Sequence, residues 1–337
     1  MMDEAEHITE SMAIPSGSLG VLEKQVQKLL RAWPEFYREI KPHHFIFAAD
    51  NGVVKEGVVK QNPDITWMQA KNMVAGGAAI SCFCRSQDVP YTVVDVGINS
   101  EDAVGLNRKV ARGTQNFLEN PAMTKREFWK AYDVGAEMVQ RARMMGRNLL
   151  SFGEMGIGNT TTSTAVLHAL TGADLVKITG YGANPDHPEV VLRKREVIRI
   201  ACERYLPLMK APQDIIRCVG GFDIAALCGA MAACAEYRIP FILDGFITAV
   251  ALACAVKIYP LAADMAIPSH ISKEPGMLWA LRESGLEADS VPIQAGLRLG
   301  EGTGAILGYS LLRTMLYTVY HMKTMTDFLS DDYSTAK

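Results

Sequence analysis

Two glutamates stand among glycines, Glu154 in "GEMGIGNTTTSTA" and Glu301 in "LRLGEGTGAILG". Glycine turns that open a helix usually cradle phosphate on bare backbone N–H groups, so a carboxylate inside one would repel that ligand. A desolvated carboxylate in such a place is a candidate general base. A solvated turn glutamate is the plain alternative for either residue alone; two of them at one sheet edge carry more weight.

Further polar groups recur around them. Gly153, Gly156 and Gly158 would let backbone approach a ligand, and Asn159 or Thr160 could cap the next helix and leave N–H groups for a phosphate. The same residues also read as an ordinary strand-to-helix turn. Gly180 and Gly182 in "GYGAN" make a second glycine turn, onto which a cation from Arg193, Lys194 or Arg195 could fold back. The alternative for those cations is a solvated helix face. "PSHISKEPG" brings Ser269, His270 and Ser272 near Glu274, without the G-x-S-x-G elbow of a serine hydrolase. Neither G-x-x-x-x-G-K-[ST] nor G-x-G-x-x-G occurs, so an ATP P-loop and a dinucleotide fingerprint both lack support.

Such groups need a scaffold that ends several strands at one edge. "HHFIFAAD" and "YTVVDVGIN" are short apolar runs ending in carboxylates, which is the pattern of buried parallel strands. Between them "ITWMQAKNMVAGGAAISCFCRSQ" reads as one long helix, completing a βαβ unit. The design repeats in "LLSFGEMGIG" followed by the helix "NTTTSTAVLHALTG", ended by Gly172. It repeats again in "IPFILDGF", closing on Asp244 before the helix "ITAVALACAV". Strands that end in Asp, Glu, Ser or His imply an α/β fold with an open, mainly parallel sheet and its site at the carboxyl edge. Residues 1–40 read as an N-terminal helical segment, 41–310 as the catalytic α/β domain with an all-helical excursion at about 103–150. Residues 311–337 read as a C-terminal helix that joins the N-terminal segment in a smaller helical domain, with "STAK" as a frayed tail.

Composition excludes several classes. The 337 residues are 49% hydrophobic, enough for a large core. The 34 Lys and Arg against 37 Asp and Glu leave no basic stripe for nucleic acid. Asp244 and Gly245 interrupt the longest apolar run, which argues against a membrane span, and the acidic "MMDEAEHITESM" lacks signal-peptide order, so a cytoplasmic chain is the expectation. The seven cysteines are then reduced, and all seven read as core thiols; Cys82 and Cys84 lack the second pair a zinc site needs.

Taken together, "PSGSLGVLE", "AADNGVVKEGV", "TWMQAKNMVAGGAAI", "VVDVGIN", "NRKVARGTQNF", "GEMGIGNTTTSTA", "GYGAN", "VGGFDIAALCGAM", "IPFILDGFI", "PSHISKEPG" and "RLGEGTGA" run nearly the whole chain in order. They resemble the nicotinate-nucleotide–dimethylbenzimidazole phosphoribosyltransferase family, which makes the lower-ligand nucleotide of cobalamin. The resemblance implies a Rossmann-like sheet with a small helical domain, acting as a homodimer without metal or other cofactor. It implies transfer of the phosphoribosyl group of nicotinate mononucleotide to a benzimidazole-type base, releasing nicotinate. By the same resemblance Glu301 takes the proton of the attacking azole and Glu154 is the second active-site acid. Gly156, Asn159, Thr160 and Thr161, with Gly180 and Gly182, hold ribose phosphate and nicotinate. Lys194 binds the phosphate, with Arg193 as the alternative; Gln69 lines the base pocket, and Ser269 is counted among the substrate-binding residues. On this reading the glycines around Glu301 make room for a flat acceptor ring.

Two departures concern the acceptor: Asn51 replaces the histidine of "DHGV", and Gln61 stands where a serine is common. They open a second reading, a phenol- or p-cresol-activating member working as a heterodimer with a paralog, and a third, a non-catalytic partner subunit.

Overall fold

Alternate residues of the strand Pro42–Ala49 (β1) enter two different cores. Phe45, Phe47 and Ala49 join one, while Ile46 and Ala48 join the other. That period of two with both faces buried is what a strand covered by helices on each side requires. The computed structural model describes residues 3–335 apart from 34, 38 and 185.

Five more strands complete the sheet: Tyr91–Gly97 (β2), Leu106–Asn107 (β3), Leu149–Met155 (β4), Phe241–Leu243 (β5) and Ala266–Pro268 (β6). Their order is β3-β2-β1-β4-β5-β6, and every pairing is parallel. The expected open parallel α/β sheet is therefore present, in the doubly wound order whose direction reverses between β1 and β4. At that point the loops after neighbouring strands diverge and leave a crevice at the carboxyl edge.

One face carries the helices Lys125–Met144, Phe222–Tyr237 and Phe246–Ile258. The other carries Val21–Ala32 and Thr303–His321, whose Leu29, Leu30, Ile306, Leu312 and Leu316 pack in one cluster with Ile46 and Ala48. N- and C-terminal helices thus lie together on the sheet, and the expected boundary at 310 falls inside Thr303–His321.

Local geometry alters four expectations. The long helix after β1 is two, Ile65–Val74 and Ala79–Ser86, because Gly76 turns left-handed at φ +83°. Residues 103–150 are not all helical: they hold β3 and an irregular stretch, and the helix Lys125–Met144 starts only at the capping box of Thr124 and Glu127. The C-terminal helix also divides, into Thr303–His321 and Met325–Thr335; of "STAK", Ser334 and Thr335 end that second helix and residues 336 and 337 lie outside the described residues. Six cysteines are buried as expected, but Cys82 is exposed and its Sγ accepts from Arg85.

Candidate active site

Glu154 is the penultimate residue of β4, so it sits on a strand and not in the expected loop. Against that strand lies the turn bearing Glu301. A Cβ on Gly153 would come within 2.1 Å of the Glu301 carbonyl oxygen, and one on Gly300 within 2.5 Å of Glu154 Oε1. The glycines therefore serve close approach of two backbones and two carboxyl groups. Gly300 also lines the cleft in which the sequence suggested room for an acceptor ring.

Gly300, Glu301 and Gly302 are consecutive left-handed residues, at φ +81°, +63° and +91°. For Glu301 this conformation costs about 1–2 kcal/mol, which the surroundings must offset. His44 supplies one restraint. Its Nε2–H donates to the Glu301 carbonyl at 3.2 Å, and because a carbonyl only accepts, Nδ1 is the bare nitrogen that takes the Ser151 hydroxyl proton at 2.7 Å. Burial pushes the His44 pKa down to about 4, which keeps the ring neutral in this role.

The Glu301 carboxylate is held by donors on both oxygens. Gln69 Nε2 donates to Oε1 at 2.6 Å, and the backbone N–H of Ile80 to Oε2 at 3.4 Å. Ile80 lies in the first turn of Ala79–Ser86, so the glycine break that divides the expected helix also aims a helix N-terminus at the carboxylate. A carboxylate so placed is an acceptor, ready to receive a proton.

Glu154 has the opposite environment. Burial first, then Asp223 beside it, push its pKa up to about 8, against the opposing hydrogen bond from Asn159. The Asn159 amide bridges Glu154 Oε2 and Asp223 Oδ2, and burial lifts Asp223 itself to about 6. Near neutral pH Glu154 therefore keeps its proton. A protonated Glu154 is a hydrogen-bond donor next to the turn that carries Glu301. Asn159 does not cap the helix Asn159–Thr171 as expected: Gly158 occupies the cap at φ +89° and Asn159 turns inward to the acids.

At the other end, Lys194 Nζ donates to Thr160 Oγ1 at 2.9 Å and to the Gly180 carbonyl at 3.4 Å. Burial lowers its pKa to about 8, with Glu274 opposing the shift. Arg193 points elsewhere, to the Glu56 carbonyl and carboxylate and to Glu196. Of the two cations only Lys194 reaches the glycine turn. The Gly182 N–H donates to Glu274 Oε1 at 3.0 Å, which makes Glu274 part of this end.

These groups surround a cleft of about 330 Å³ at the carboxyl edge. Gln69, Glu154, Gly156, Asn159, Thr160, Gly182 and Glu301 line it. Thr161, Gly180 and Lys194 stand one layer behind. So does Ser269, 1% exposed, whose hydroxyl donates to the Leu243 carbonyl at 2.6 Å; its neighbour His270 lines the cleft. Gln61 lines the cleft too, anchored by Nε2 to the Ala183 carbonyl. Asn51 does not: it is buried behind the 156–158 turn and donates to the Ile157 carbonyl.

A family model described as phosphoribosyltransferase matches residues 1–328. The chain belongs to this phosphoribosyltransferase family. A Clostridium acetobutylicum protein named nicotinate-nucleotide–dimethylbenzimidazole phosphoribosyltransferase is 36% identical, over 100% of this chain and 96% of its own length. A relative of the same name from Ruminiclostridium cellulolyticum is 37% identical, over 98% and 94%. The crystal structure of CobT from Thermus thermophilus superposes with a TM-score of 0.89 at 34% identity, covering 96% of each chain. Membership in the phosphoribosyltransferase family fits a cleft that holds buried acids and a glycine turn backed by a lysine.

Sequence reasoning named Asp244, His270 and Glu274 within motifs without a role in the site, and left out His44 and Asp223, the second inside the quoted "VGGFDIAALCGAM". His44, inside an apolar strand and 257 positions from its partner, carried no signal.

Proposed function

We propose that the chain transfers the 5-phosphoribosyl group of nicotinate mononucleotide to a benzimidazole-type lower-ligand base in cobamide biosynthesis, giving the α-ribotide and nicotinate. The observation that carries this reading is Glu301: a carboxylate with a hydrogen-bond donor on each oxygen, beside the protonated Glu154, facing one cleft whose lining residue Thr160 is backed by Lys194.

The bare ring nitrogen of the base attacks C1′ on the face opposite nicotinate. The C1′–N bond breaks, and its electron pair returns to the pyridine nitrogen, which leaves neutral. Inversion turns the β bond into an α bond. The proton on the second azole nitrogen passes to Glu301, a transfer that contributes ~10²–10⁴-fold. Positive charge grows on the ribose as the bond to nicotinate stretches, and the carboxylates of Glu301 and Asp244 lower its energy in a site already arranged for it. Lys194, behind Thr160 and Gly182, attracts the phosphate; arrival of that dianion restores the charge that burial weakens.

The phenolic reading is not favoured, since the relatives at 36 and 37% identity bear the dimethylbenzimidazole name. The partner-only reading is opposed by both glutamates converging on one cleft. Exposed Tyr317, Met322, Met325, Phe328 and Leu329 near the C-terminus support a homodimer joined through those helices, and seven free cysteines support a reducing, cytoplasmic setting.

Incubating the purified chain with nicotinate mononucleotide and, separately, dimethylbenzimidazole, adenine, phenol or no acceptor tests this. We expect nicotinate release to require an acceptor and to be fastest with the benzimidazole. No release with any acceptor, or release only after a paralogous chain is added, overturns it.

A further inference from the structure

His270 lines the cleft floor, 4% exposed, beside the first turn of Thr303–His321. Its proton positions follow from its neighbours. The Leu243 carbonyl can only accept, so it takes the single hydroxyl proton of Ser269 at 2.6 Å. The 3.0 Å contact between Ser269 Oγ and His270 Nδ1 must then have the ring N–H donating. Asp244 Oδ1, 3.9 Å from the same nitrogen, favours a proton there as well. A neutral ring protonated at Nδ1 leaves a lone pair on Nε2. That nitrogen has no hydrogen-bond partner among the described residues, and it lies on the side of Gly245, which also lines the cleft.

We propose that His270 accepts a hydrogen bond from a ribose hydroxyl of the nucleotide, with Ser269 as the residue that positions its ring. The assignment rests on the transferase reading. A bare lone pair beside the Asp244 carboxylate repels anions, so neither the phosphate nor the carboxylate of nicotinate belongs there. The hydroxyls of the ribose, which lies between those two anionic groups, are the donors the substrate itself offers. His270 would thus fix the sugar while Glu301 and Lys194 act at its two ends.

The test is kcat/KM for nicotinate mononucleotide and its 2′-deoxy and 3′-deoxy analogues, with the wild-type chain, His270→Ala and His270→Gln. We expect one analogue to lose about tenfold with the wild-type chain, the scale of one hydrogen bond with a buried acceptor left unpaired. His270→Ala should lose a similar factor on the parent nucleotide and no longer distinguish it from that analogue. His270→Gln, whose amide oxygen can stand where Nε2 stood, should recover part of both the rate and the discrimination. Losses from His270→Ala or His270→Gln that multiply with the losses from both analogues overturn the assignment and leave the transferase reading in place. A wild-type chain that releases no nicotinate from the parent nucleotide overturns both.

Discussion

The backbone carbonyl of Glu301 accepts a hydrogen bond from His44 Nε2 at 3.2 Å, a link between the central strand and the turn after β6. The bond fastens the strained residue by its backbone and leaves its carboxylate to Gln69 and Ile80. We expect His44→Leu to lower kcat by ten- to a hundredfold, since misplacement by about 1 Å costs ~10²-fold. The dissociation constant for nicotinate mononucleotide should stay within about threefold, and His44→Gln should restore part of the rate. Steady-state kinetics with calorimetric binding checks this; equal losses in rate and binding would assign His44 to general stability.

The left-handed backbone at Glu301 makes a second expectation. Glycine occupies that region freely and alanine does not, so Glu301→Gly should be more stable than Glu301→Ala by about 1 kcal/mol, in spite of the larger unfolded-state entropy of glycine. Both should be inactive. Urea denaturation compares them, and an alanine variant as stable as the glycine one would mean the turn relaxes.

Lys194 and Arg193 separate by charge and by pH. Lys194→Met should raise KM for nicotinate mononucleotide by roughly ten- to a hundredfold, the range of a charge-assisted hydrogen bond, while Arg193→Met should leave it within about threefold. The free-enzyme pKa of Lys194, about 8, also sets a limit: kcat/KM should fall as pH rises past it. Glu154 titrates in the same range, so the profile is measured in Glu154→Gln as background. There Lys194→Arg should move the fall to higher pH, and an unmoved profile would exclude Lys194 as its source.

Glu154 should also mark the stability of the fold. Its folded pKa, about 8, is raised above the ordinary 4.5, so the folded state holds a proton that the unfolded state releases across this interval. Stability from this group is complete below pH 4.5 and is lost as pH rises through 8, at up to about 1.4 kcal/mol per pH unit. Denaturation at about pH 6 and about pH 8.5, on either side of the folded pKa, should show the wild-type chain losing more stability than Glu154→Gln. The same loss in both would remove Glu154 as its source.

The sheet and the cleft at its edge were readable because β1, β2, β4 and β5 are apolar runs that stop at a polar residue; β3, two residues inside the stretch read as helical, was not. Gln69, Glu154, Gly156, Asn159, Thr160, Gly182 and Glu301 were readable from their glycines and from the family resemblance, and they line one cleft. What escaped is what depends on contacts distant in sequence. Nothing in "HHFIF" says that His44 meets Glu301, and nothing in "GEMG" says that Asp223 stands by Glu154 to hold its proton. Ser269 shows a finer limit. Side chains alternate along an extended segment, so its hydroxyl turns inward and the neighbouring His270 reaches the cleft. Gly76 was read as helix, yet its turn is what brings the Ile80 N–H to Glu301.

The most direct measurement is nicotinate release by Glu301→Gln at saturating nicotinate mononucleotide and dimethylbenzimidazole, with the nucleotide dissociation constant measured alongside. The isosteric amide keeps the shape of the side chain and removes its ability to take a proton. We expect kcat to fall ~10²–10⁴-fold with nucleotide binding within about threefold of wild type. Turnover within a fewfold of wild type would contradict the assignment of Glu301 as the proton acceptor.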